Sequence, residues 1–150
     1  MVERTELNTV VIDIKDSTGR VAYDSQVPLA REIGANGRRI RDMDGLIVRC
    51  HRAGIYVIAR LVLFQDPILA GACPDWAVKD EGGDIWRDHK GLSWVDPACR
   101  EVWKYNLDLA KEAVEKGFDE IQFDYVRFPS DGRIRLCTFP YWERRIPKHE

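Results

Sequence analysis

Charged side chains interrupt three otherwise apolar stretches of this sequence. The stretch NTVVIDIKD carries Asp13 and Lys15, YVIARLVLF carries Arg60, and IQFDYV carries Gln122 and Asp124. An unpaired charge inside a buried strand costs several kcal/mol, so such groups must pair with one another or face water. Because side chains alternate along a strand, we expect these five residues to share one face of a sheet. The pattern predicts either a structural ion network or a pocket whose carboxylates do chemistry.

Asp124 is the acid whose position most favours catalysis. It lies near the end of the third stretch, and Pro129 follows as a residue that ends a strand ladder. α/β barrels carry their catalytic groups at the C-terminal ends of buried parallel strands. The alternative, which the residues alone leave open, is an acid that only caps the next loop.

The three stretches alternate with helical patterns. We predict strands over residues 8–16, 56–64 and 121–126, and helices over residues 42–53 and 96–116. Each helical pattern ends at a glycine, after which the next strand begins. This alternation predicts an α/β fold in which the strands are adjacent and parallel and both helices cover one face.

The clearest helical pattern begins at Asp96 and Pro97, an acid suited to the N-cap and a proline suited to the first turn. We expect Glu112 and Lys116 to pair across one turn of this helix. The apolar residues expected to be buried on one side are Cys99, Val102, Trp103, Leu107, Ala110, Ala113 and Val114.

The stretch FDEIQFDYVRFPSDG resembles the signature of a bacterial and archaeal glycoside hydrolase-like domain family. The resemblance extends through GIYVIARLVLFQDP and WVDPACREVW to NTVVIDIKDSTGRVAY, and covers residues 6–132. Members of that family are similar to TIM-barrel glycosidases. The resemblance therefore implies a glycosidase that cleaves a poly- or oligosaccharide.

The chain is short for the fold that the resemblance implies. A complete (β/α)8 barrel takes about 250 residues, whereas this chain has 150 residues. We therefore expect residues 1–150 to form a single incomplete domain, a partial (β/α)8 TIM barrel that lacks the first strand and the C-terminal half. An open sheet edge and an uncovered face would then favour association or low solubility.

Under this resemblance the charged residues take roles in glycosidic bond cleavage, which normally needs one protonated carboxyl and one ionised carboxylate. Asp124 is the first candidate for the nucleophile or base, with Arg60 or Arg127 lowering its pKa. Asp13 is the best candidate for the acid and Asp16 the second, while an acid on a later strand outside this chain stays open. The expected substrate-binding residues are Lys15, Asp16, Arg60, Gln122, Tyr125, Arg127, Trp86 and Trp94.

Residues 65–95 form a long segment without a regular period, rich in glycine, aspartate and tryptophan. Loops of this length in compact domains are usually functional or disordered, and the tryptophans argue against disorder. Above a barrel, the rings of Trp86 and Trp94 would suit the apolar face of a sugar. The alternative of equal weight is that they only pack the loop onto the sheet.

The composition limits other functions. A net charge of −2, from 23 basic and 25 acidic residues that are interspersed, offers no basic field to nucleic acid. No stretch approaches the roughly 20 apolar residues of a membrane span. Residues 1–8 lack the apolar core of a signal peptide, although the resemblance implies full-length members that are exported or associated with the cell envelope.

The three histidines and four cysteines are scattered, without the spacing of a metal site, and no nucleotide-binding motif occurs. We therefore expect a carbohydrate substrate with no metal and no cofactor; the compartment and the oligomeric state stay open. The alternative function from another class is a non-catalytic carbohydrate-binding or cell-envelope interaction module. Paired carboxyl groups favour the enzyme, and an aromatic groove without them favours the binding module.

Overall fold

A three-stranded parallel sheet forms the centre of the protein, whose computed structural model describes residues 7–143. The strands are β1 (Thr9–Lys15), β2 (Tyr56–Val62) and β3 (Glu120–Asp124), in the order β1-β2-β3. The helices are α1 (Pro28–Glu32), α2 (Met43–Arg52), α3 (Pro67–Ala72) and α4 (Arg100–Lys116). The predicted α/β fold with adjacent parallel strands is confirmed, and the described residues contain no closed barrel. Residues 1–6, most of the N-terminal stretch in which no signal-peptide core was found, lie outside the described residues.

One face of the sheet packs against α2 and α4 and supplies the core. Val57, Ala59 and Leu61 of β2 are fully buried on this face. The two helices contact β2 and each other, and Ile47 of α2 and Leu109 of α4 are buried between the layers. Both helices therefore lie in one layer, as predicted, and the opposite face of the sheet is left for the charged side chains.

β1 does not keep a simple alternation to its end. Asp13 pairs in register with Arg60, but Lys15 pairs with Leu61, so Ile14 is an extra residue that forms a β-bulge. A bulge changes which side chains face each side of the sheet from that point on. Lys15 therefore points into the core beneath α4, where it is 0% exposed. The prediction that Lys15 shares a face with Asp13 is wrong, because alternation alone does not reveal a bulge.

β3 ends earlier than its apolar run. Tyr125 has a φ of +53°, a left-handed conformation that costs a non-glycine residue about 1–2 kcal/mol. This change of backbone direction ends the ladder at Asp124, not at Val126 as predicted. Val126 consequently lines the same pocket as Phe123 and does not share a face with Asp124.

α4 begins later than predicted. Its N-cap is Cys99, which makes no side-chain capping hydrogen bond. Asp96 precedes the helix in a turn, where its Oδ1 accepts from the backbone N–H of Ala98 (2.8 Å) and its Oδ2 from that of Tyr141 (2.7 Å). The N-cap predicted at Asp96 is wrong because both carboxylate oxygens are bonded within the loops. The predicted stop at Gly117 is confirmed, with a φ of +97°.

Part of the apolar side predicted for α4 faces solvent. Trp103 is 48% exposed, Leu107 49% and Val114 60%. The prediction is wrong for these three residues, whereas Cys99, Val102, Ala110 and Ala113 are buried. Trp103, Leu107, Phe123 and Val126 together line a pocket of about 430 Å³ beside the free edge of β3; we call these four residues the apolar face.

Residues 65–95 are more regular than predicted. They contain α3, a short 3₁₀ helix over Pro74–Trp76, and isolated β-bridges such as that between Gln65 and Trp94. Asp66 is the N-cap of α3 and Pro67 its first residue. An acid followed by a proline is a helix-start signal. The start of α3 could therefore have been predicted from the sequence.

Glu112 binds the loop that follows β1 to α4 and does not pair with Lys116 as predicted. Its Oε2 accepts hydrogen bonds from the hydroxyls of Tyr23 (2.9 Å) and Ser25 (2.6 Å), and its Oε1 accepts one from the backbone N–H of Gln26 (2.6 Å). The ammonium of Lys116 lies 3.0 Å from an acid of α2 instead. The predicted pair does not form because Glu112 is turned toward these three donors.

We expect Glu112→Gln to lower the free energy of unfolding by about 1–3 kcal/mol. The reason is that glutamine keeps one acceptor oxygen and replaces the other with an NH₂ donor, so the groups that donate to that second oxygen lose their acceptor. Urea unfolding measures the change, and Glu115→Gln, at an exposed position of the same helix, is the matched control. Equal free energies of unfolding for the two variants would show that these hydrogen bonds add no net stability.

Candidate active site

The sheet brings Asp13, Arg60 and Asp124 together near the C-terminal ends of its three strands. Arg60 Nη1 donates to Asp13 Oδ1 at 2.8 Å, and Arg60 Nε and Nη2 donate to Asp124 Oδ2 at 2.8 and 2.5 Å. Because β2 is the central strand, the arginine reaches a carboxylate on each neighbour. The side chain of Asp13 is 50% exposed and that of Asp124 36%. The prediction that these three residues pair on one face is confirmed, and both carboxylates are accessible to solvent.

Both carboxylate oxygens of Asp124 accept hydrogen bonds. Oδ1 accepts from the backbone N–H of Tyr125 at 2.7 Å, and Oδ2 accepts the two bonds from Arg60. The bond from Tyr125, the bonds from Arg60 and the charges of Arg60 and Arg127 lower the pKa of Asp124. The predicted effect of both arginines is present, and the backbone N–H of Tyr125, which was not predicted, is the largest single cause. Asp124 is therefore ionised near neutral pH, as a nucleophile or base must be.

Gln122 and Asp16 are two further polar residues that were predicted for this site. Gln122 is exposed and in register with Arg60, so it joins the charged face. Asp16 follows β1, where its Oδ1 accepts from the N–H and hydroxyl of Thr18 and its Oδ2 pairs with Arg39. Burial acts to raise the pKa of Asp16, but these bonds outweigh it and the pKa is lowered. A lowered pKa makes Asp16 a poor proton donor.

Lys15 lies away from the charged face because of the bulge in β1. Its Nζ is 2.7 Å from Asp66 Oδ2, and both side chains are 0% exposed. Lys15 therefore neutralises an acid in the core and has no surface for a substrate. Sequence reasoning missed Asp66, since no spacing motif connects residues 51 positions apart.

Arg127 lies beside Asp124, stacked on two aromatic rings. Its guanidinium carbon is 5.3 Å from the ring centroid of Trp94 and 5.1 Å from that of Tyr125. Cation–π contacts at such distances orient the guanidinium, and Nη1 donates to Ser130 Oγ at 2.5 Å. The structure thus brings two predicted binding residues, Tyr125 and Arg127, next to Asp124.

The two tryptophans predicted to stack on a sugar are buried. Trp86 is 4% exposed and Trp94 1%. Trp94 Nε1 donates to Asp88 Oδ2 at 3.1 Å, and the same oxygen accepts from Gln65 Nε2 at 2.6 Å. Trp94 packs against Tyr125 at the end of β3, with ring centroids 5.8 Å apart, and Trp86 lies against Gly132. Both rings therefore pack the loop, which was the other interpretation open from the sequence.

Asp88 organises this loop, and sequence reasoning missed it because aspartates are common throughout the segment. Burial acts to raise the pKa of its carboxyl, but hydrogen bonds from Trp94, Leu92, Gln65 and Lys90 outweigh burial, and the pKa is lowered. The unfolded chain would have the ordinary carboxyl pKa of about 4. Folding therefore favours the ionised form, and this contribution to stability is present above about pH 4 and is lost in acid as the pH falls through the lowered pKa.

We expect the free energy of unfolding of the wild type to exceed that of Asp88→Asn near neutral pH, and the difference to shrink below about pH 4. Urea unfolding at a series of pH values measures the difference. Asp84→Asn, at an exposed position of the same loop, provides the control for simple loss of charge. A difference between wild type and Asp88→Asn that stays constant down to acid pH would contradict the assignment.

Within residues 7–143, no helix has the length and apolar character needed to cross a bilayer. Nor does this part of the chain contain a cluster of three or more His, Cys, Asp or Glu side chains suited to a metal ion. Cys50, Cys73 and Cys99 are free thiols.

The family model described as "Putative glycosyl hydrolase domain" matches residues 1–149. The chain belongs to this family. No protein with a curated description matches the sequence. Among solved structures, a hypothetical protein from Ruminiclostridium thermocellum ATCC 27405 is 50% identical with a TM-score of 0.82, over 86% of this chain and 67% of that chain.

Glycosidases are also among the structural neighbours. An alpha-galactosidase from Thermus thermophilus is 21% identical with a TM-score of 0.56, over 80% of this chain and 24% of its own. Alpha-L-fucosidase isoenzyme 2 from Paenibacillus thiaminolyticus is 20% identical with a TM-score of 0.61, over 83% of this chain and 19% of its own. At these identities the likeness shows a shared fold alone. Both of these enzymes are TIM-barrel glycosidases, and this chain spans a quarter or less of each.

Proposed function

We propose that the protein is a glycoside hydrolase that cleaves a poly- or oligosaccharide with Asp124 as its ionised catalytic carboxylate. The observation that carries this proposal is the group of Asp13, Arg60 and Asp124 at the C-terminal side of a parallel sheet. A carboxylate can accept hydrogen bonds along about four lone-pair directions. Asp124 accepts three hydrogen bonds, which use three of these directions. One direction is left for an anomeric carbon, if Asp124 is the nucleophile, or for a water, if it is the base.

Asp13 is the proposed proton donor. Its Oδ1 accepts from Arg60, and its Oδ2 makes no hydrogen bond to the described residues on a side chain that is 50% exposed. Asp16 is a weaker candidate because both of its oxygens are bonded. The alternative is an acid on a further strand, outside this chain. Gln122, Tyr125 and Arg127 are proposed as the nearby substrate contacts.

The proposal includes a partial (β/α)8 barrel as the fold. The parallel strands, the helices in one layer and the likeness to TIM-barrel glycosidases support it. The apolar face supports it as well, because in a barrel the next strand–helix unit would pack against α4 and the free edge of β3.

The purified chain is expected to associate through the apolar face, since an exposed apolar patch beside an open sheet edge favours contact between copies. Size-exclusion chromatography with light scattering would show oligomers of the wild type. The double variant Trp103→Lys with Leu107→Lys should reduce their mass. A wild type that is monomeric and unfolds cooperatively would contradict this expectation.

A screen for bond cleavage tests the activity. The protein is incubated with a panel of 4-nitrophenyl glycosides and unlabelled oligosaccharides, and released nitrophenol or new reducing ends are measured. We expect turnover of at least one member that depends on Asp124. Saccharide binding by calorimetry without turnover would instead support the non-catalytic binding module. The burial of Trp86 and Trp94 weakens the case for that module, because these were the two rings expected to stack on a sugar.

A further inference from the structure

Arg127 presents an oriented cation at the edge of the proposed site. The rings of Trp94 and Tyr125 lie 5.3 and 5.1 Å from its guanidinium carbon, and Nη1 donates to Ser130 Oγ at 2.5 Å and more weakly to Phe128 O at 3.4 Å. These contacts restrict the side chain while the residue stays exposed. A guanidinium has five N–H donors, and both bonds use Nη1, so the donors on Nε and Nη2 make no hydrogen bond in the described part of the chain.

Arg127 differs from Arg60 in its charge environment. Arg60 is bonded to two carboxylates. Among residues 7–143, Arg127 forms no ion pair within 4.0 Å. Its charge nevertheless acts on Asp124, so it lies close to the proposed catalytic carboxylate without being neutralised by direct contact.

We infer that Arg127 binds an anionic group on the saccharide, so that the site takes an acidic oligosaccharide; this inference rests on the proposed function. A planar fork whose orientation is already restricted binds a carboxylate or an ester sulfate through two parallel hydrogen bonds and loses little freedom in doing so. Neutral hydroxyl groups would not need a full positive charge at this place. The anion is therefore the carboxylate of a uronic acid or a sulfate ester.

Binding calorimetry with matched saccharides tests the inference. The probes are a hexuronate trisaccharide, its carboxyl-reduced neutral counterpart, and an O-sulfated form of that neutral trisaccharide. We expect the wild type to bind one acidic probe about tenfold or more tightly than the neutral probe, which corresponds to about 1.4 kcal/mol. Which acidic probe binds more tightly identifies the anion. The preference should fall as salt is added, because part of it is electrostatic.

Three variants assign the preference to Arg127. Arg127→Gln should abolish the preference for the acidic probe, and Arg127→Lys, which keeps the charge without the planar fork, should retain part of it. Arg87→Gln is the matched control, since Arg87 is an exposed loop arginine bonded to a backbone carbonyl; it should behave as the wild type. Melting temperatures identify any variant that fails to fold, in which case Arg127→Lys carries the test.

Two results would overturn the inference. One is that the wild type binds the acidic and neutral probes with equal affinity. The other is that Arg127→Gln lowers the affinity for the acidic and the neutral probe by the same factor. Either result would leave the proposed function standing if a neutral glycoside is cleaved in an Asp124-dependent way. If no saccharide of either class binds or is cleaved, both the inference and the proposed function fail.

Discussion

Asp124→Asn is expected to lower the turnover of any cleaved glycoside by about 10³-fold or more, which corresponds to about 4 kcal/mol in the barrier. Asparagine keeps the shape of the side chain but removes the negative charge that a nucleophile or base needs. Saccharide binding should persist, because Arg60, Gln122 and Arg127 are unchanged. The melting temperature should change little, since the ion pair with Arg60 is partly exposed and such pairs contribute only about 0–1 kcal/mol.

Controls separate catalysis from structure in this test. Glu120→Gln removes a carboxylate from the opposite end of β3, where its Oε2 lies 3.4 Å from the hydroxyl of Tyr56, and it should keep normal turnover. Asp13→Asn removes the other partner of Arg60 and tests the proposed proton donor. Near-normal kcat in Asp124→Asn, together with a clear loss of thermal stability, would show that Asp124 only balances the charge of Arg60.

The part of the fold that was predicted follows from patterns that act over short distances. Apolar runs identified the three strands, and Gly117 ended α4 at the predicted place because left-handed backbone there favours glycine. The bulge at Ile14 was not predicted, because it depends on the pairing register between β1 and β2 and not on the sequence of β1 alone. The left-handed backbone at Tyr125 was missed for a similar reason, since tyrosine carries no local preference for it.

The candidate site was predictable where regular alternation holds and unpredictable where it fails. Asp13, Arg60 and Asp124 come together because their strands stay in register up to those residues. Lys15 is two residues after Asp13 in β1 and follows the bulge, so its side chain lies in the core. The burial of Trp94 depends on Asp88 and Gln65, and no spacing in the sequence indicates that contact.

The buried pair of Lys15 and Asp66 gives the largest stability prediction. Lys15→Met is expected to lower the free energy of unfolding by about 3–5 kcal/mol, because it leaves the carboxylate of Asp66 uncompensated in the core. For a chain of this length, that corresponds to a fall of about 6–20 °C in the melting temperature. The pair distance is 2.7 Å, Lys15 Nζ also donates to Leu63 O at 3.3 Å, and both charged side chains are 0% exposed.

The double variant Lys15→Met with Asp66→Asn tests whether the unpaired charge is the cause. It should regain part of the lost stability, because asparagine carries no charge and its carbonyl can still accept from the backbone N–H of Leu69 at the start of α3. Lys104→Met is the matched control, since Lys104 is 78% exposed and pairs with Asp108 at 2.6 Å; it should cost no more than about 1 kcal/mol. If Lys15→Met lowers the stability in thermal and urea unfolding by no more than Lys104→Met does, the buried pair is not important for the stability of the fold. If the double variant is less stable than Lys15→Met, the loss comes from the packing of the methionine and not from the charge left on Asp66.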